Sequence, residues 1–142
     1  MGTPAQQRRT IDEVEPVYLA MMEEIQGVLT DRFGVGEWVQ RREQVQGSAC
    51  DEVADGERRS YNLGTAARVA EEEWDQALGA VESIAGEHGF TERVEIVDAE
   101  GDHLVDLNHA DGGRLSFGTQ EATVLRVTTG CHPAGAATAA GG

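Results

Sequence analysis

A cysteine and a histidine stand side by side at Cys131 and His132, in the stretch VTTGCHPAGAA that covers residues 127 to 137. Three kinds of chemistry use such a pair: a thiolate nucleophile beside its base, a metal centre, or a covalent crosslink. In an extended segment neighbouring side chains point to opposite faces, which separates Cys131 from His132. Catalytic cysteines also take their histidine from a distant part of the chain. The nucleophile reading is therefore weak, and no catalytic residue is assigned.

A zinc centre would have to draw four ligands from Cys50, Cys131, His88, His103, His109 and His132, and no CxxC or HxxxH spacing joins any of these. Histidines on a solvated surface are the simpler expectation, with no metal and no cofactor. The stretch DAEGD at residues 98 to 102 begins like a calcium loop, but its glycine falls at the fourth position and His109 stands at the twelfth, where glutamate is required. A hairpin turn explains it better. Glu71, Glu72 and Glu73 do not converge on one point and read as a solvated helix start matched to the helix dipole.

The crosslink remains. Cys50 lies 81 positions before Cys131, and the chain holds only these two cysteines. Each follows a predicted strand, so both stand at element ends where two backbones can come within bridging distance. In the chain-entropy model a bridge closing so long a loop contributes about 4.5 kcal/mol. That is comparable with the whole stability of a small domain. The competing reading is a pair of reduced thiols in the core. A Cys50–Cys131 bridge would imply an oxidising compartment.

The elements that must position these residues follow from hydrophobic periodicity. Ile11, Val14, Tyr18, Met21, Ile25, Val28 and Leu29 recur at steps of three and four and predict a helix between Thr10 and Phe33, stopped at Gly34. Thr10 and Glu13 have capping-box spacing, but Pro16 falls inside a helix begun there, so the helix either kinks or starts nearer Glu15. A strand from Trp38 to Gln46 follows, then an acidic loop from Cys50 to Glu57 and a strand from Arg58 to Leu63. A second helix is predicted from Ala66 to His88, with Trp74, Leu78, Val81 and Ile84 on one face. The period then changes to two, giving strands at Thr91 to Asp98, His103 to Asn108, Arg114 to Thr119 and Thr123 to Thr129. This order predicts an α+β fold, an antiparallel sheet of about six strands with two long helices packed on one face. Residues 10–133 form one globular domain between disordered segments 1–9 and 134–142.

Composition narrows the function. With 26 acidic and 11 basic side chains the formal charge is −15. Such a field repels nucleic acid and anionic membrane surfaces. No run of residues is apolar and long enough for a membrane helix, and the N-terminal MGTPAQQRRT has no apolar signal core.

Several features together resemble one family. They are the first helix ending before GEWVQ, the Trp38 to Cys50 spacing, a second helix carrying Trp74 and closing in EHGF, and a last strand ending in TTGC. This pattern resembles the actinobacterial LppA-like lipoproteins over Val14 to Pro133. The resemblance implies an N-terminal signal peptide, a lipidated cysteine, and a globular domain held at the outer face of the membrane by a disordered linker. It carries over no catalytic residues. The signal and the lipid-bearing cysteine are absent from this sequence and are expected to have been removed, so any membrane contact is through that missing anchor. The leading expectation is a non-enzymatic extracytoplasmic domain, a binding or assembly module for a protein or small-molecule ligand. The alternative is an acidic intracellular inhibitor or immunity protein that masks a basic partner. Any ligand site is expected on the sheet face left bare by the helices: exposed apolar residues there would favour binding, and a uniformly charged face would oppose it.

Overall fold

The computed structural model describes residues 9–40, 46–53 and 55–133. Helix α1 spans Ile11–Phe33. The Thr10 hydroxyl accepts the Glu13 amide at 3.3 Å, and the Glu13 carboxylate accepts the Thr10 amide at 2.8 Å, so both halves of the capping box form. Pro16 costs the helix one backbone donor. The double cap and the complete burial of Ile11 and Val14 outweigh that loss, and the helix starts at Ile11 rather than near Glu15. Gly34, at φ 70°, closes it with its amide on the Leu29 and Thr30 carbonyls.

Strands β1 (Val39–Gln40), β2 (Gln46–Cys50) and β3 (Gly56–Thr65) come next. Val39 pairs with Gly64 and Gln46 with Ser60, so seven steps on one side face four on the other. The strand predicted from Trp38 to Gln46 is described only at its two ends, which pair with β3 in different registers; residues 41–45 lie outside the described residues. The second reaches through Cys50, which belongs to the strand and not to the acidic loop.

The predicted start of the second helix is corrected. A 3₁₀ turn at Glu71–Glu73 leads into α2 (Trp74–Glu87), and residues 66–70 are not helical. Threonine side chains hold them. The Thr65 hydroxyl accepts the Ala67 amide, Thr119 accepts the Val69 amide, and Thr123 donates to the Ala67 carbonyl. Such bonds compete directly with helical pairing.

The meander follows as β4 (Phe90–Ala99), β5 (Asp102–His109), β6 (Arg114–Thr119) and β7 (Thr123–Thr128). A two-residue strand β8 (His132–Pro133), not predicted, follows them. All pairings are antiparallel. Both β1 and β2 lie on one side of β3, with β7 and β8 on the other, and the order continues through β6 and β5 to β4. The sheet is six positions wide, as expected. Its inner face presents the rows Leu63–Leu125–Phe117–Val105 and Tyr61–Val127–Leu115–Leu107 to the two helices. Trp74 of α2 stacks on Phe117 at 5.0 Å, and Tyr18 of α1 meets Phe90 edge-on at 5.2 Å. Arg59 of β3 joins Glu57 to Asp12 and Glu15 of α1.

The α+β class and the one-sided packing agree with expectation. The disorder predicted for 1–9 and 134–142 lies outside the described residues except at Arg9, whose carbonyl accepts His132 Nδ1 at 3.0 Å.

Candidate functional site

The sheet has two unlike ends. At one, β2 finishes at Cys50 and the chain reaches Cys131 just before β8; the two are joined, with Cα atoms 6.0 Å apart. Gly56 makes the close approach feasible. A Cβ there would lie 2.5 Å from Cys131 Sγ and 2.8 Å from the Cys50 carbonyl oxygen.

His132 takes no part in sulfur chemistry. Its Nδ1 holds the Arg9 carbonyl and its Nε2 stands 3.4 Å from Asp111 Oδ2. Asp111 also accepts the Gly113 amide at 2.8 Å and the Tyr18 hydroxyl at 3.3 Å. Burial would raise its carboxyl, but His132, the Gly113 amide and His109 together bring it down to about 2. Burial, and then the Asp111 charge, push the Tyr18 phenol above its ordinary value, and Tyr18 has no exposed surface. A nucleophile needs access and a reachable anion. Tyr18 has neither, and the cluster fastens α1 to the β5–β6 turn.

The expectation of solvated histidines is corrected: His132 is 2 % and His103 6 % exposed. His103 stacks on Trp74 at 4.6 Å, with Nδ1 3.0 Å from Asp98 and Nε2 2.9 Å from Glu71. The Gly101 amide first, and then His103, hold the Glu71 carboxyl below its ordinary value. Of the three adjacent glutamates, Glu71 is thus a tie between the helix start and the β4–β5 hairpin. DAEGD forms the turn of that hairpin, with Gly101 at φ 75°. His109 sits edge-on to Phe90 and accepts the Asp111 amide, while His88 ends α2, partly buried. Among the described residues no group of three or more His, Cys, Asp or Glu could hold a metal ion.

The face away from the helices is not uniformly charged. Register places Val39, Gly64, Val124, Gly118, Leu104 and Val97 in one row that crosses every strand position of the sheet. The next row toward the disulfide is mixed: Asn62, Arg126, Ser116, Asp106 and Val94. The one after it is polar, with Ser60, Thr128, Arg114, Asn108 and Glu92. Val39 is 64 % and Val124 37 % exposed, as Val94 and Ile96 also are in part. At the end far from the disulfide, the row opens into a shallow hollow of about 570 Å³ between Val97 and Val124, rimmed by Asp102 and Glu121.

Sequence reasoning missed this row. The signal was present in the alternation, since Leu104 and Val124 occupy outward positions of β5 and β7 where polar residues belong. The role of Gly56 and the Tyr18–Asp111 contact carried no such signal.

Residues 3–133 match the model of the LppA family, described as a lipoprotein confined to pathogenic Mycobacterium. The chain belongs to the LppA family. Two solved structures share its fold. LppA from Mycobacterium tuberculosis is 13 % identical at a TM-score of 0.71, over 92 % of this chain and 82 % of that one. A DUF4853 family protein from Actinomyces odontolyticus is 17 % identical at 0.69, over 92 % and 73 %. At these identities the likeness concerns the fold alone. No curated protein matches the chain. Membership of a lipoprotein family implies a cell-envelope or extracytoplasmic location. The intracellular inhibitor reading finds no support in these comparisons, and no helix among the described residues is long and apolar enough to cross a membrane.

Proposed function

We propose that this LppA-family chain is the globular part of a cell-envelope lipoprotein and that it works as a binding or assembly module, without catalysis. The observation that carries the reading is the family match across residues 3–133. The Cys50–Cys131 bond supports it, since such bonds persist in oxidising compartments. The exposed apolar row supports the binding role, because soluble domains seldom leave contiguous apolar surface uncovered without use. Near the disulfide, Asp111 and Arg59 tie the strand ends to α1 and hold the fold.

The test is fractionation of an actinobacterial host that expresses the whole gene, with thiols trapped at lysis. The expected result is protein in the envelope fraction, partitioning into detergent, with both cysteines oxidised. Protein in the cytosol with two free thiols would sink the proposal.

A further inference from the structure

The hollow and the row that runs out of it carry a more specific reading, which rests on the binding-module proposal. The geometry points to an extended, basic segment of a partner protein as the occupant, with aliphatic side chains laid along the Val97–Leu104–Gly118–Val124 row and lysine or arginine side chains facing Asp102 and Glu121.

Three observations lead there. The first is shape. The row crosses six strand positions, five spacings of about 4.8 Å, or about 24 Å in all. About seven residues of extended chain cover that length, far more than the hollow alone would need. Gly118 keeps the floor low, for a Cβ there would meet the His103 carbonyl oxygen at 2.7 Å and Leu104 Cδ1 at 2.9 Å. Leu104 therefore lies down over Gly118 and makes the apolar surface continuous from β5 to β6.

The second is charge. Asp102 and Glu121 line the hollow, and no arginine is among its lining residues. Asp98 and Glu71 bond to His103, which lines the hollow; of the nearby cations, Arg68 reaches the Gly101 turn and Arg126 is one row away toward the disulfide. A cationic segment is attracted at this end of the face. The third is exclusion of other occupants. A second copy of the chain brings a further charge of −15, and an anionic lipid surface is repelled by the same field.

The experiment is calorimetric titration of the oxidised full chain with capped heptapeptides at physiological salt. A peptide of alternating lysine and leucine binds. Replacing its leucines by glycine, or its lysines by glutamate, weakens binding by at least about tenfold. Val124→Lys or Val97→Lys in the protein does the same, whereas Leu19→Lys, which adds the same charge to an exposed apolar position of α1, leaves binding within about twofold. Equal binding of the glycine peptide, equal loss in the α1 variant, or no binding of the leucine peptide overturns the inference. Failure here, with the protein still oxidised in the envelope fraction, leaves the proposed function standing. Binding by a protein found reduced in the cytosol would do the reverse.

Discussion

The two ends of the sheet are built on opposite principles. Where α1 begins, a covalent bond, a capping box, the Arg59 ion pairs and the Asp111 cluster all converge on the strand ends. Most polar groups there have a protein partner, although among the described residues the buried Tyr61 hydroxyl and His132 Nε2 make no hydrogen bond. At the far end the backbone is held by threonine hydroxyls and by His103 between Asp98 and Glu71, and the outer face carries the apolar row with its acidic rim. Fastening is concentrated where the chain enters the fold, and exposed apolar surface where it does not. A domain with the proposed binding role would divide holding together from offering a face in this way.

The largest expected effect would break that division. Cys50→Ser or Cys131→Ser should lower the unfolding free energy by about 2–5 kcal/mol in urea melts. Reductant should bring the parent protein to the same level and leave the variants unmoved. Titration of the unfolded parent should find no free thiol before reduction and two after it. A parent indifferent to reductant would show that the bond does not distinguish the two ends. Next comes Gly56→Ala, whose added Cβ meets both a bonded sulfur and a backbone oxygen. Its cost should reach the upper part of the overpacking range, about 3 kcal/mol, measured in the same melts.

Acid should act on the disulfide end through Asp111. Its carboxyl lies at about 2 against the ordinary 3.8, a depressed value. The stabilisation is therefore present above the unfolded value and disappears as pH falls through the folded one. Unfolding free energy should fall by about 2 kcal/mol between about pH 4 and pH 2 from this group, and Asp111→Asn should abolish that part of the slope. The smallest effect belongs to the open face. Val124→Ser should change stability by no more than about 0.5 kcal/mol, and a larger loss in thermal melts would mean that the row is held for packing.

Much of this architecture was legible in the sequence, for reasons that also explain the misses. Helix α1 and strands β4 to β7 came out within a residue or two, because their burial repeats at the period of the element and turn residues punctuate them. Residues 66–70 were misread because Ala66, Ala67 and Ala70 favour helix locally, while the hydroxyls that hold them extended come mostly from β6 and β7. Burial of His103 and His132 depends on partners 32 and 123 positions away. Gly56 is explained by its closeness to the bonded pair, above all Cys131, which lies 75 positions on in the chain. Pairwise contacts of this range leave no periodic trace in the chain. Cys50 and Cys131 could be paired by eye because no third cysteine competed.

One dimension follows from α1. A helix of 23 residues is about 34 Å long, and it runs from the disulfide end to the hollow end of the sheet. A tether attached through the N-terminal side of Arg9 would thus leave the hollow a full helix length from its point of attachment. For a chain held there, the helix would be a rigid spacer between the point of attachment and the hollow.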